Sequence, residues 1–300
     1  MQKIANAVGV LAKTFEILSC FRRKPQGLTL GDISELAQIN KSTAHRLLSQ
    51  MVARGFIERT DDGRYIIGYA MFQIGLLAPK PQELRSAAHP IMTELARETG
   101  ETINLALIDG SEILAIHVIE SLHEFRMAAK IGSRKPFHDT ALGKSAAAFL
   151  PEAKLEFLLE HIRLPLEAPT ANSIANLARL REELNLTRSR GYGLDDEECV
   201  LGVRAVAAPV FSGSGEVEGA LSISGPTSRL STERIPALAV SVINAANAIT
   251  ARLGGHPRMI QSLSQQNSER AGQFGERLAR EHSPSPSNSL KRCTDARDLE

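Results

Sequence analysis

The chain has 300 residues, of which 43% are hydrophobic and 23% charged, a composition that favours a globular protein with two domains. No apolar run approaches the roughly 20 residues that cross a bilayer, and three widely spaced cysteines favour reduced thiols, so we expect a cytoplasmic protein without a membrane partner. The formal net charge is +1, but residues 1–78 carry ten Lys and Arg against six Asp and Glu, as contact with phosphate would require.

Three short helices are predicted at the start of the chain. Apolar residues recur at helical spacing over residues 8–21, and the Pro25-Gln26-Gly27 stretch ends that segment. Thr29 and Asp32 have the spacing of a capping box, which predicts the start of a second helix. A break at residues 38–40 precedes the third helix, for which Asn40 or Ser42 is the expected N-cap.

The third helix has one apolar face and one polar face. Its apolar stripe consists of Ala44, Leu47, Leu48, Met51 and Val52. Ser42, Arg46 and Ser49 lie opposite, and small hydroxyls with one guanidinium are groups that can approach base edges in a DNA groove. We therefore expect Ser42, Thr43 and Arg46 to contact bases or the nearby backbone. Lys41 and His45 would contact phosphate, although His45 could equally pack at the edge of the core.

A hairpin follows this helix. Residues 56–59 and 64–67 flank Asp62-Gly63, a strong turn signal. The order helix, helix, helix, hairpin is typical of a winged helix-turn-helix domain, which we place at residues 6–70. The hairpin is then the wing, and we expect its Arg59 and Arg64 to contact phosphate. The competing interpretation is that the basic residues are ordinary surface scatter and that the domain does not bind nucleic acid.

The rest of the chain predicts a linker and a second domain. We assign residues 71–89 to the linker, with breaks at Pro79 and Pro81 and a new helix starting at Pro90. An α+β domain with an antiparallel sheet follows at residues 90–254. Its predicted strands are 102–108, 113–119, 125–131, 203–211 and 217–224, and its helices are 140–149, 151–160, 172–189 and 231–253. Residues 255–300 are polar and are predicted to be disordered.

Eight motifs in this order resemble the IclR family of bacterial transcriptional regulators over residues 6–254. The motifs are Lys41–Leu48, Asp61–Tyr65 with Gly68, Glu98–Thr102 with Asn104 and Leu105, His138–Ser145, Gly191 and Tyr192 with Asp195–Glu198, Gly202–Arg204, Ala207–Val210 and Leu221–Pro226. The resemblance implies a winged helix, a linker helix and a GAF-like effector domain that senses a small organic molecule. It also implies dimers, or dimers of dimers, on palindromic operators in double-stranded DNA.

The resemblance further implies an effector pocket. The positions of this sequence that match it are Met127, Ala141, Asp195, Ser222 and Ser224, and Ala205 stands where many relatives have cysteine. Because Ala205 removes a polar contact, we expect a bulkier or more apolar ligand, such as an aromatic acid. The residues alone give partial support for an effector pocket, since Ser222 and Ser224 share one face of a strand and could donate hydrogen bonds to a carboxylate. The alternative is that these two serines face solvent.

Other chemistry finds little support in the sequence. His138, Asp139 and Ser145 suggest a hydrolase, yet no Gly-x-Ser-x-Gly elbow surrounds any serine. The histidines and cysteines have no zinc-type spacing, and the acidic run 195–198 reads as a metal cluster or as a solvated turn. We therefore predict no catalytic residues, no metal and no cofactor. The alternatives are a sensor enzyme that turns over its ligand and a dimerising scaffold that does not bind DNA.

Overall fold

The computed structural model describes residues 9–24 and 26–256, and it begins with three helices and a hairpin. These elements are α1 (Val10–Cys20), α2 (Leu30–Leu36), α3 (Lys41–Ala53), β1 (Ile57–Arg59) and β2 (Tyr65–Ile67). The capping box is confirmed, because Asp32 N donates to Thr29 Oγ1 while Thr29 N donates to Asp32 Oδ2. Asn40 is the N-cap of α3, since its Oδ1 accepts from Thr43 N at 2.9 Å.

One apolar cluster holds the N-terminal helices and the hairpin together. Its fully buried members include Ile17, Leu28, Ile33, Leu48 and Ile57. Burying side chains of this size contributes about 1.5–3 kcal/mol each, so these residues supply much of the stability of this small domain. The predicted turn at Asp62-Gly63 joins β1 and β2, and Gly63 has the positive φ of 80° that such a turn needs.

Two further helices connect this domain to the second one. They are α4 (Tyr69–Leu76) and α5 (Pro79–Thr99). The predicted break before Pro79 is confirmed. The predicted break at Pro81 was wrong, because Pro81 lies in the first turn of α5, where proline is tolerated. The prediction that a new helix starts at Pro90 was also wrong, because α5 runs through Pro90. Proline removes one helical hydrogen bond, and the buried residues Leu84, Ala88 and Met92 hold the helix in place on either side of it.

The second domain is built on a six-stranded antiparallel sheet. Its strands are β3 (Thr102–Asp109), β4 (Glu112–Ile119), β5 (Arg134–Pro136), β6 (Gly193–Asp196), β7 (Val203–Phe211) and β8 (Val217–Pro226), in the spatial order β5-β4-β3-β8-β7-β6. Its helices are α6 (Ala141–Ala147), α7 (Glu152–Glu160), α8 (Leu177–Arg190) and α9 (Ile235–Arg252), the last preceded by a 3-10 turn. The expected α+β class with an antiparallel sheet is confirmed.

The two faces of this sheet are covered differently. Ile103, Leu105 and Ile223 lie on the face that packs against α5 and α9, and α6 lies on the opposite face. By length and composition α9 could cross a membrane, but its buried residues, among them Val242 and Ile249, identify it as a core helix of this domain. The opposite face carries the polar residues of the site.

Three sequence predictions about this domain need correction. Residues 125–131 form a loop rather than a strand, and the carbonyl groups of Phe125 and Met127 accept from the side chains of Arg229 and Thr102 instead of from a strand backbone. The helix predicted at residues 172–189 begins only at Leu177, after the Asn176 cap, and strands β5 and β6 were not predicted. The predictions for residues 6–8 and for the tail beyond His256 lie outside the described residues.

Candidate functional site

The outward face of α3 is polar and largely open to solvent. Lys41, Ser42, His45 and Arg46 are exposed, and Thr43 is partly buried. The opposite face holds the buried stripe Ala44, Leu47, Leu48 and Met51, with Val52 partly buried. His45 therefore does not pack in the core. Within residues 9–24 and 26–256, no hydrogen bond or ion pair occupies the Arg46 guanidinium.

The wing carries the other two predicted phosphate contacts. Arg64 Nε donates to Asp62 Oδ2 at 3.0 Å, and the Arg59 guanidinium lies 5.8 Å from the centre of the Tyr65 ring. The ion pair of Arg64 is exposed at both partners and so contributes little stability, which means that a phosphate could replace Asp62 at small cost. Both arginines can therefore reach outward from the hairpin.

The six residues predicted for the pocket line one cavity of about 270 Å³ in the second domain. They are Met127, Ala141, Asp195, Ala205, Ser222 and Ser224, joined by further lining residues that include Asn104, Thr140, Lys130 and Lys135. The volume is near the lower end of small-molecule pockets, which start at about 300 Å³. Most of the other lining residues are apolar, so the cavity offers a few polar groups in an apolar setting.

Strand register brings the polar groups together. Asn104 on β3 is opposite Ser222 on β8, and Ala205 on β7 lies between Ser224 and Asp195 in one cross-strand row. Asn104 Nδ2 donates to Ser224 Oγ at 2.9 Å and to Ser222 Oγ at 3.3 Å. Ser222 and Ser224 are only 1% and 6% exposed, so the alternative that they face solvent was wrong.

Asp195 is the buried carboxylate of this cavity. Its Oδ1 accepts from the backbone N–H groups of Glu198 and Cys199, at 2.9 and 3.3 Å. Burial raises the pKa of Asp195 from its ordinary value of 3.8 to about 7, and the nearby ammonium of Lys144 opposes only part of that effect. Asp195 therefore changes its charge close to neutral pH.

The acidic run 195–198 is only partly solvated, because Asp195 and Glu198 are buried while Asp196 and Glu197 are partly exposed. Glu198 forms an ion pair with the fully buried Lys144, whose Nζ is also 4.0 Å from a carboxylate oxygen of Glu183. Desolvation raises the pKa of Glu198, and the attraction of Lys144 works in the opposite direction. Among the described residues, no three His, Cys, Asp or Glu side chains are grouped so that they could hold a metal ion.

The three residues that suggested a hydrolase do not form a catalytic array here. His138 Nε2 contacts the carbonyl oxygen of Glu167 at 2.9 Å, and Ser145 Oγ is buried without a hydrogen-bond partner in the part of the chain that the structure describes. The burial of Asp139 raises the pKa of its carboxyl group. A nucleophile paired with a base is therefore not formed by these side chains.

Sequence reasoning missed Asn104 as a cavity residue. A signal was present, because residues 102–106 alternate polar or small side chains with Ile103 and Leu105, as in a strand with one apolar face. In the sequence, Asn104 stands out only as part of a family motif. Its contacts to both serines could not be found without the pairing of β3 with β8.

Comparison with known proteins gives matches over both domains. The family model for the "IclR helix-turn-helix domain" matches residues 10–61, and the model for "Bacterial transcriptional regulator IclR C-terminal" matches residues 78–251. The chain is 35% identical over 248 residues to a protein of Escherichia coli (strain K12) named Transcriptional repressor IclR, and the alignment covers 82% of this chain and 90% of that protein.

Two crystal structures extend this similarity to the fold. The Thermotoga maritima IclR is 32% identical with a TM-score of 0.65, and the match covers 81% of this chain and 98% of that one. An IclR homologue from Microbacterium hydrocarbonoxydans, crystallised with 4-hydroxybenzoate, is 26% identical with a TM-score of 0.72, covering 82% of this chain and 99% of that one.

Proposed function

Because the chain belongs to the IclR family and is a DNA-binding transcriptional regulator with a C-terminal effector domain, we propose that the outward face of α3 binds the operator. Ser42, Thr43 and Arg46 would contact bases or the nearby backbone. The phosphate contacts would come from Lys41, His45, Arg59 and Arg64. The observation that carries this proposal is the exposed face of α3, where Arg46 has no partner among the described residues.

The effector site in this proposal is the cavity between the sheet and α6. Its size suits a small metabolite, since 270 Å³ lies just below the range of about 300–1,000 Å³ that is typical of ligand pockets. We assign an organic acid to it, aromatic or otherwise apolar in its body, because the lining is mostly apolar while Lys130 and Lys135 can attract a carboxylate. The neighbour that binds 4-hydroxybenzoate supports this class of ligand. No catalytic residue enters the proposal, since the relatives are named as regulators.

Self-association would follow from the exposed apolar residues near the DNA-binding domain. Leu11 and Phe15 on α1 are 66% and 58% exposed, and Tyr69 and Phe72 on α4 are 76% and 61% exposed. Large apolar side chains exposed in this way are typical of an interface. Two copies joined there would present two α3 helices to a palindromic operator, and two such dimers could combine into a tetramer.

The domain organisation completes the proposal. We take residues 6–70 as the DNA-binding domain, 71–89 as the linker and 90–254 as the effector domain, with α5 continuing from the linker into the second domain. Ligand binding would then favour one spacing of the paired α3 helices, a coupling of about 1–3 kcal/mol. The protein would work in the cytoplasm, where its operators are.

The DNA contacts can be tested with two arginine variants and genomic fragments that the protein itself selects. Arg46→Ala should weaken specific binding and relax the sequence preference, whereas Arg64→Ala should lower affinity about equally for all sequences. Lys154→Ala, which changes a cation of the second domain, is the matched control. Unchanged DNA binding by both Arg46→Ala and Arg64→Ala at moderate salt would contradict the assignment of this face.

The effector site needs a separate test, in which organic acids are screened by thermal shift. Ala205→Leu should fill the cavity and abolish the shift that any bound acid produces. Asp195→Ala combined with Ser222→Ala should do the same by removing polar groups from the lining. If the ligand-induced shift survives in these variants, the ligand binds elsewhere.

A further inference from the structure

A second cleft lies where the linker helices meet the sheet of the effector domain. We call it the linker cleft; it has a volume of about 670 Å³ and is lined by the end of α4, residues 81–89 of α5 and His117 of β4. It shares no lining residue with the effector cavity of about 270 Å³. The linker cleft is therefore a separate candidate site, on the segment that joins the two domains.

One polar face of α5 forms a wall of the linker cleft. The residues on this face have the helical spacing i, i+3, i+4 and i+7, and they are Gln82, Arg85, Ser86 and His89. All of them are exposed, whereas Leu84 on the other side of the helix is buried. Within residues 9–24 and 26–256, the side chains of Gln82, Arg85 and Ser86 make no hydrogen bond or ion pair. This wall therefore offers hydrogen-bond donors that the rest of the described chain does not use.

A pair of histidines forms the wall on the side of the sheet. His89 Nδ1 of α5 lies 2.9 Å from His117 Nε2 of β4, so the two imidazoles share one hydrogen bond. His117 Nδ1 is buried with no hydrogen-bond partner in the described part of the chain. Burial lowers the pKa of His117 from its ordinary value of 6.5, and the charges of His89 and Arg85 lower it further. His117 is therefore neutral at pH 7, and a nearby negative charge would favour its protonation.

The linker cleft has the charge of an anion site. Its described lining residues include no Asp or Glu, while Arg85 is permanently charged and both His89 and His117 can gain a proton. From α4 the cleft receives only Gly75 and Leu76, which carry no charge. An anion here would pair with Arg85 and would also stabilise a protonated histidine, so it would meet two positive charges.

We propose that the linker cleft binds an organic phosphate, whose phosphate group contacts Arg85, Ser86 and the histidine pair. A phosphate monoester carries about −1.5 to −2 charges and three acceptor oxygens, so it matches a guanidinium and a protonated imidazole better than a singly charged carboxylate does. The body of the ligand would pack against Leu76 and Pro81. Because the cleft joins the linker to β4, the ligand would restrain the linker against the effector domain. This second ligand site goes beyond the proposed function.

The test is isothermal titration calorimetry on the full chain with phenyl phosphate. The wild type and Ala205→Leu, which should fill the effector cavity, are expected to bind it equally. Arg85→Ala should weaken binding at least about tenfold, because it removes a charge-assisted hydrogen-bond donor. Arg97→Ala is the matched control, since it removes another exposed cation in the last turn of α5, and it should leave the affinity unchanged. In Ala205→Leu, benzoate should bind more weakly than phenyl phosphate.

The histidine pair is tested through the pH dependence of binding. Phenyl sulfate is the probe, because its charge does not change between pH 6 and pH 8. The bound anion stabilises the protonated histidine, so binding takes up a proton and the affinity should rise at least about threefold from pH 8 to pH 6. His89→Gln breaks the pair at an exposed position and should abolish this rise while Arg85 still binds the anion.

Several results would overturn the proposal. They are absence of phenyl phosphate binding by the wild type, equal binding by wild type and Arg85→Ala, and loss of binding in Ala205→Leu, which would place the ligand in the effector cavity. An affinity for phenyl sulfate that is independent of pH, or a pH dependence that survives His89→Gln, would exclude the histidine pair from the site. The proposed function has its own tests on α3 and on the effector cavity, so it does not depend on these results.

Discussion

The substitution Asp195→Asn should stabilise the effector domain, and the gain should grow with pH. The amide keeps an oxygen in the place of Oδ1, so the backbone N–H groups of Glu198 and Cys199 retain their acceptor. What changes is the charge, which costs free energy at this buried position. The variant therefore isolates the energetic cost of ionising Asp195 in the absence of ligand.

The magnitude follows from the pKa of Asp195. A folded-state pKa of about 7 against an ordinary value of 3.8 means that the folded state holds the proton more tightly. The free energy of unfolding then falls between about pH 4 and pH 7, and it stays lower above pH 7 by about 4 kcal/mol, since each pH unit is worth about 1.4 kcal/mol. The Asp195→Asn variant has no titrating group at this position, so its free energy of unfolding should not show this fall with pH.

The assay is urea unfolding of the full chain between pH 5 and pH 8, compared for wild type and variant at one protein concentration. The chain contains no tryptophan, so far-ultraviolet circular dichroism is the suitable signal. We expect the difference in unfolding free energy to increase by about 2–3 kcal/mol from pH 5 to pH 8 in favour of the variant. A difference that stays constant over this range would show that Asp195 is ionised throughout, and would refute the reasoning.

Three further predictions concern the framework of the two domains. Gly143→Ala should destabilise the effector domain by about 1–3 kcal/mol in chemical unfolding, because the added Cβ would lie 2.2 Å from the Phe137 carbonyl oxygen. Gly31→Ala is the control and should have little effect, because the atom nearest to its added Cβ is 3.6 Å away. Lys144→Met should cost about 3–5 kcal/mol by leaving Glu198 buried without its cation, and adding Glu198→Gln should recover part of that loss. Asn40→Ala should lower the free energy of unfolding of the DNA-binding domain by about 1 kcal/mol through loss of the α3 cap. Wild-type stability of Gly143→Ala, Lys144→Met or Asn40→Ala would contradict the contact named for that residue.

The parts of the fold that depend on local chemistry could be predicted from the sequence. Thr29 and Asp32 are three residues apart and cap α2 through each other, so their signal needs no distant partner. The alternation that put Ser222 and Ser224 on one face also held, because strand period is a local property. All six predicted pocket residues line one cavity, and their role in binding stays a prediction.

The remainder depended on contacts that a linear sequence does not display. Strand β6 contains Asp195 and Asp196, which have low strand propensity, and it exists because β7 pairs with it. Residues 125–131 are apolar enough for a strand, yet they form a loop that contributes to the cavity lining and from which the Met127 carbonyl accepts from Thr102 Oγ1. Pro90 would normally mark a helix boundary, but packing on both sides keeps α5 continuous.

The position of α3 on DNA can be measured directly by photo-crosslinking. Ser49 lies on the exposed face of α3 beside Arg46, so p-benzoylphenylalanine at position 49 should crosslink to a DNA fragment selected by the protein. The same group at Phe157, an exposed position of the effector domain, serves as the control and should not crosslink. Crosslinking at position 49 alone is the predicted result, and retained DNA binding with no crosslink there would contradict the account.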